Sequence, residues 1–420
     1  MDTIMNNQPI INIGCLGSVS DGKSTLVEKL TGIKTQRHSS EKSRNITIKQ
    51  GYGNMKIWRH EADYFTTDSN SSSFSSPSGD ECELVNHISF VDCPGHQELI
   101  QTMLSSISIM DGAIVVVAVD QPLSKKPQLI QHLAAAKLGK LTKIIVCMNK
   151  IDLVTRDVLY ERKEELDQML ARYGIIPFAV IPTCFNKKIG IDNLLQAITG
   201  LFDPSSYMRR TEDSPVFRVS RTFDINKPGT NWDEITGGVI GGSLMSGRLD
   251  VGSEIEIRPG QISKGRDGKF TCLPIKTTIL SIKTDSSDLT SIVPGGLIGI
   301  RTDLDPYYCK NDALSGNVAG TPGTLPSVFG EVVIRSNIVT TFGITWQPNN
   351  GDAVMLQIGT RICEAKLVNV SGTDFKFELT KPVCISDNQH IIICKNVDKI
   401  LRIVGEGTVH YSDNPRKIIE

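Results

Sequence analysis

The chain has 420 residues, 39% of them hydrophobic and 22% charged, which is length for about three domains with sizeable cores. A formal net charge of -1 excludes a global pull toward nucleic acid, so DNA is not an expected partner and any RNA contact must come from a local patch. No apolar run approaches a membrane span, the longest being Gly112 to Val119, and the chain enters an apolar strand almost at once without a signal sequence. These features point to a cytoplasmic protein with no membrane partner, and cysteines such as Cys15, Cys147 and Cys394 in apolar runs read as reduced buried thiols.

In chain order, Ile10 to Leu16 reads as a buried strand running into Gly17-Ser-Val-Ser-Asp-Gly-Lys-Ser24, a phosphate loop, with a helix from Ser24 to Thr31. Such a loop turns its amides and the helix N-terminus toward a diphosphate, so the residues expected at the nucleotide are Ser20, Asp21, Gly22, Lys23, Ser24 and Thr25. Lys23 should reach the outer phosphates and the Ser24 hydroxyl should bind Mg²⁺. Arg44-Asn-Ile-Thr47-Ile-Lys then offers Thr47 as a second Mg²⁺ ligand in a first switch segment. The polar run from Thr66 to Gly79, rich in serine and without periodicity, reads as a disordered insertion in a β-hairpin, spanning about residues 66–80.

Next comes a strand, His87 to Val91, ending in Asp92-Cys-Pro-Gly95-His96. Asp92 is placed to hold Mg²⁺ through water, and the Gly95 amide to sense the terminal phosphate. His96 would orient the attacking water more than deprotonate it, so Lys23, Gly95 and His96 form the expected catalytic set. A helix from Gln97 to Ser108, a strand from Ala113 to Val119 and a helix from Gln128 to Leu138 follow, then a strand from Ile144 to Met148. That strand ends in Asn149-Lys150-Ile-Asp152, whose carboxylate can accept both N1–H and the exocyclic amine of guanine. Adenine presents no such donor pair, so this loop discriminates between the bases. After a helix from Arg156 to Arg172 and a strand from Phe178 to Ile181, the backbone of Thr183 and Cys184 is expected at the guanine carbonyl, and a last helix runs from Ile191 to Leu201.

Singly, Asp-x-x-Gly and Thr-Cys arise by chance, but these loops in this order at strand ends specify a site for GTP and GDP with Mg²⁺. The alternation of strands and helices predicts a doubly wound, mostly parallel sheet over residues 1–204. From Pro215 the pattern changes to short strands broken by pairs such as Gly237-Gly238 and Pro259-Gly260, which predicts two antiparallel β-barrels, at 213–325 and 327–420. Arg209-Arg210 reads as a solvated linker.

The domain order and the Asp92-Cys-Pro-Gly-His96 switch resemble the translational GTPases, relatives of elongation factor Tu. Within that group the chain resembles the gamma-subunit family of eukaryotic and archaeal initiation factor 2. The resemblance is carried by Arg44 to Tyr52, Arg221-Thr-Phe-Asp-Ile-Asn-Lys-Pro-Gly-Thr230, Gly237 to Gly242, Asp305-Pro-Tyr-Tyr-Cys309 and Gly323-Thr-Leu-Pro326. It runs over nearly the whole chain, more loosely after Val328. It implies a heterotrimer core with alpha and beta subunits, the first on the middle barrel and the second on the GTPase domain. In the GTP state that core carries initiator methionyl-tRNA to the small ribosomal subunit, and it lets go after hydrolysis. No arginine finger is evident, so GTPase-activating and nucleotide-exchange factors are further expected partners. The alternatives left by the sequence are a GTP-gated scaffold that hydrolyses little, an elongator or selenocysteinyl-tRNA carrier, and a metabolic GTPase subunit as in sulfate activation.

Two departures from the family stand out. Its phosphate loop usually carries histidines where this chain has Ser18 and Asp21. A carboxylate beside phosphates is repulsive by roughly 1 kcal/mol when solvated and several when dry, so Asp21 weakens nucleotide binding, holds Mg²⁺ through water, turns outward, or is a loop substitution of little effect. Many members also carry a zinc knuckle between the switches, whereas Arg59 to Glu83 holds Cys82 alone; with His60 and His87 that makes three candidate ligands without paired spacing, so structural zinc is not expected.

Overall fold

The computed structural model describes residues 2–35, 51–95, 99–206, 210–227, 229–285, 287–341, 345–410 and 417–419. Thr47 and His96 lie outside the described residues, as does most of the Arg44 to Tyr52 segment. The chain forms two compact units, Met1–Met208 with Asp285–Ser287, and Arg209–Thr284 with Asp288–Glu420.

The first unit is built on strands β1 (Ile11–Leu16), β2 (Gly51–His60), β3 (Asp63–Thr67), β4 (Glu83–Asp92), β5 (Gly112–Ala118), β6 (Ile144–Asn149) and β7 (Ala179–Pro182). They lie in the order β3-β2-β4-β1-β5-β6-β7. From β4 to β7 the pairing is parallel, while β2 pairs antiparallel with β4 and β3. β1, β5 and β6 are buried along their whole length, as strands covered on both faces must be, which is why they read as unbroken apolar runs. Because the chain passes from β4 to β5 across β1, the order reverses there, and the loops leaving β1, β4, β5, β6 and β7 gather at one carboxyl edge, where such sheets bind ligands.

The helices follow local sequence signals. Arg156–Arg172 begins at Thr155, whose hydroxyl accepts from the Val158 amide, and it carries a Lys163–Asp167 pair four residues apart. Lys23–Thr31 ends at Gly32 in the left-handed region, and Pro127–Leu138 has proline in its first turn. A short helix, Asp2–Asn7, precedes β1, where the sequence suggests direct entry into the strand. Its Met5 carbonyl accepts from Nδ1 of the buried His87.

The serine-rich stretch corrects the expectation of disorder. Between β3 and β4 it forms a turn-rich ordered loop whose Phe74 ring lies 5.4 Å from Phe65 and 6.4 Å from Trp58. Asp68 Oδ1 accepts the Asn70 and Ser71 amides, Ser69 and Ser76 are buried, and the Cys82 amide donates to Phe74 O. One aromatic anchor and an Asx turn thus order a segment whose composition alone predicts otherwise.

The second unit holds two closed barrels among its described residues. The first runs Glu254–Lys264, Val318–Gly320, Val216–Phe223, Val239–Ser246, Gly295–Thr302 and Phe270–Thr284, and closes by pairing of the first and last. The second runs Asp374–Cys384, Arg361–Ser371, Ala353–Ile358, His390–Val397, Ile400–Val409 and Val328–Ile338, closing likewise. Closure leaves no free edge in either ring of strands. Alternating inward residues fill each, for example Val219, Ile257, Ile279 and Ile300 in the first and Val332, Leu356, Phe377 and Ile393 in the second. The expected fold class, a parallel sheet followed by two antiparallel barrels, is the one observed.

Candidate nucleotide site

The phosphate loop leaves β1 at Leu16 and closes on the helix Lys23–Thr31. Gly22 has φ +107°, and a Cβ there would lie 2.4 Å from Asn149 Nδ2, so both its backbone and its neighbour demand glycine. Lys23 is buried at the turn and donates to Ser18 O at 2.7 Å. Burial lowers its pKa, opposed by the nearby charges of Asp92 and Asp21. The loop is tethered from outside as well. The Gly17 amide donates to Nδ1 of the buried His132 at 2.9 Å, which fixes that ring neutral with its proton on Nε2. Burial pushes the His132 pKa down to about 3.

Asp92, at the end of β4, is fully buried and accepts from Ser24 Oγ at 2.6 Å through Oδ2. The same oxygen accepts from Thr35 Oγ1 at 2.6 Å, a partner that sequence reasoning missed because Thr35 belongs to no motif. Gly95 sits so close that a Cβ would lie 2.6 Å from Lys23 Nζ and 2.8 Å from the Val19 amide nitrogen. Lys23, Ser24, Asp92 and Gly95 are therefore brought together as expected, and the oxygen pair of Ser24 and Asp92 is a hard donor set of the kind magnesium takes.

The loop from Asn149 to Asp152 is tied to the phosphate loop through Asn149, whose Nδ2 donates to Asp21 O at 2.8 Å and whose Oδ1 accepts from the Phe185 amide at 3.3 Å. Lys150, in the left-handed region, pairs with Asp120 at 2.9 Å. Asp152 is exposed, and its carboxyl is held below the usual range by hydrogen bonds from the Cys184 thiol and from Lys187, whose Nζ lies 3.1 Å away. Lys187 carried no sequence signal beyond its place after Thr183-Cys184. The Thr183 amide donates to Met148 O and the Cys184 amide to Ile189 O, because this loop turns back on itself and satisfies its own backbone.

The Asp21 carboxylate is buried, accepts the Ser18 amide and pairs with Lys126, so it does not stand unbalanced beside the loop. The candidate zinc ligands are engaged elsewhere too. Nδ1 of His87 donates to the Met5 carbonyl, which leaves Nε2 to accept from Ser69 Oγ at 2.6 Å, and His60 faces Asp80.

The Elongation factor Tu GTP binding domain family matches residues 8–204, and the Initiation factor eIF2 gamma C-terminal family matches residues 331–409. The sheet edge and its loops are thus those of the GTP-binding translational GTPases, hydrolases that cleave GTP to GDP. Over 97% of its length the chain is 37% identical to eukaryotic translation initiation factor 2 subunit gamma of Encephalitozoon cuniculi, covering 94% of that protein. It is 37% identical to translation initiation factor 2 subunit gamma of Methanocaldococcus jannaschii, over 96% of this chain and 98% of that one. Likeness of this extent places the chain in the gamma-subunit family of translation initiation factor 2. Among solved structures, bacterial selenocysteine-specific elongation factor EF-Sec superposes with TM-score 0.73 at 19% identity, covering 95% of this chain and 58% of that one. Elongation factor SelB of Methanococcus maripaludis with the GTP analogue GPPNHP gives 0.69 at 20%, covering 96% and 79%. At those identities the likeness shows the fold alone.

Proposed function

We propose that this chain is the GTP-dependent carrier of initiator methionyl-tRNA to the small ribosomal subunit, with hydrolysis to GDP as the release step. The observation that carries this reading is the near-full-length identity to initiation factor 2 gamma subunits, joined to the loops Gly17 to Ser24, Asp92 to Gly95 and Asn149 to Asp152 at one sheet edge. It works in the cytoplasm in a heterotrimer with alpha and beta subunits, and GTPase-activating and nucleotide-exchange factors set its pace. The domain boundaries that go with this reading are 1–204 for the GTPase domain, 213–325 for the middle barrel and 327–420 for the last.

At the site, Lys23 gives up its bond to the Ser18 carbonyl and turns to the outer phosphates, while the amides from Ser20 to Thr25 take the remaining oxygens. Ser24, Asp92 and Thr47 would hold Mg²⁺, which would supply charge neutralisation to the phosphates. Gly95, already against Lys23, donates its amide to the terminal phosphate, and His96 orients the attacking water. Asp152 reads guanine by accepting two hydrogen bonds, with Lys150, Thr183 and Cys184 lining the base loop. Loss of the terminal phosphate removes the Gly95 contact and frees the segment after β4.

The decisive experiment measures binding of charged initiator tRNA, with uncharged initiator and charged elongator tRNA as competitors, in GDP and in a non-hydrolysable GTP analogue. Preference for charged initiator tRNA in the analogue state alone is expected. Equal or absent binding in both states, with nucleotide shown to be bound, would sink the carrier reading and leave the GTP-gated scaffold.

A further inference from the structure

The phosphate loop contains a buried ion pair that phosphate binding does not itself require. Asp21 is 1% exposed and Lys126 7%, so neither charge is screened by water. Asp21 Oδ2 accepts the Ser18 amide at 2.8 Å, inside the turn of its own loop, and Oδ1 takes the Lys126 ammonium at 2.5 Å. Lys126 stands just before the helix Pro127–Leu138 and gives a second hydrogen bond, at 2.7 Å, to Ala118 O at the end of β5. With the Asn149 side chain on the Asp21 carbonyl, residue 21 joins the loops that leave β1, β5 and β6. The amide it engages, that of Ser18, lies outside the run from Ser20 to Thr25 assigned to phosphates, so the brace takes no donor from the nucleotide.

We propose that Lys126 acts on GTP and GDP binding through Asp21: it neutralises the buried Asp21 carboxylate, so that the phosphate loop presents no unbalanced negative charge to the polyanion. The inference rests on the reading of this loop as the GTP site. Without Lys126, a buried carboxylate would sit unbalanced within a loop that must accept a polyanion. Without the Asp21 charge, the loop would carry an extra cation beside the phosphates. The two single changes therefore act on affinity with opposite sign, although both leave a buried charge unpaired and lower stability.

The test compares wild type, Asp21→Asn, Lys126→Met and the double variant in the full chain, by titration with a fluorescent GDP analogue and by thermal melting. Lys126→Met is expected to weaken GDP at least ten-fold, Asp21→Asn to tighten it about three-fold at low salt, and the double variant to return within about three-fold of wild type. Affinity losses in both single variants that follow their losses in melting temperature would show a merely structural pair and overturn the proposal, as would unchanged affinity in Lys126→Met. If a single variant fails to fold, a double variant that folds and binds GDP like wild type upholds charge balance, and one that binds ten-fold more weakly overturns it. Failure of wild type to bind the GDP analogue would instead sink the reading of the site itself.

Discussion

His132 and His87 show how burial at single residues sets a pH limit on the first unit. One ring accepts the Gly17 amide and the other bridges Ser69 and the Met5 carbonyl, so both are folded neutral, and burial lowers each pKa from 6.5 to about 3. Between those values the unfolded chain binds protons that the folded chain does not, so stability rises with pH and is lost as pH falls below 6.5. Each histidine contributes a slope of up to about 1.4 kcal/mol per pH unit. Melting temperatures of the GDP-loaded chain should fall from pH 7 to pH 5, and His132→Asn and His87→Gln should each flatten the fall. An unchanged slope in both variants would remove these residues from the account.

At the scale of the element, the loop between β3 and β4 depends on one ring. Phe74 packs against Phe65 and Trp58, and the bonds Ser76 N to Asp80 O and Cys82 N to Phe74 O close the loop around it. Truncation of a partly buried aromatic that anchors a loop removes about 1–3 kcal/mol of local packing. Phe74→Ala should therefore speed hydrogen exchange at the Gly79 and Cys82 amides by at least ten-fold, while exchange within β1 and β6 stays as in wild type. Uniform acceleration through the sheet would mean instead that the loop and the sheet open together. The contrast follows from burial: β1 and β6 are fully covered, whereas the loop keeps most of its serines exposed.

Within the second unit as a whole, a buried ion pair fastens the segment between the barrels. Arg258 pairs with Glu256 and donates to the Leu325 and Pro326 carbonyls at 3.1 and 3.2 Å, and Glu256 Oε2 accepts the Gly323 amide at 2.8 Å. Burial alone would raise the Glu256 pKa, but Arg258 and the Gly323 amide outweigh it and hold the carboxyl below its usual 4.5. Its contribution is complete above 4.5 and is lost as pH falls through the lower folded value. Removing one partner strands the other charge, so Arg258→Met should cost about 3–5 kcal/mol in urea unfolding. Adding Glu256→Gln should restore most of that loss; no recovery would mean that packing of the arginine stem dominates.

The GTPase loops were legible because each is a contiguous string whose residue types have one use: Gly17 to Ser24, Asp92 to Gly95 and Asn149 to Asp152 meet at the predicted edge. Strand and helix succession was equally local, since buried parallel strands are apolar runs and Arg156–Arg172 carries its own cap. β2 was not, because Gly51–His60 mixes glycine, lysine and arginine with apolar residues and is made a strand by pairing with β4. Composition misled at the serine-rich loop, where Phe74 decides order by packing against Phe65 and Trp58 of the two preceding strands. The sequence by itself determined the class of nucleotide and the succession of elements, since these depend on local patterns. Only the tertiary structure decided what Asp21 does, because Lys126, His132 and Asn149 come to its loop from more than 100 residues away, and the sign of a charge's effect rests on what balances it.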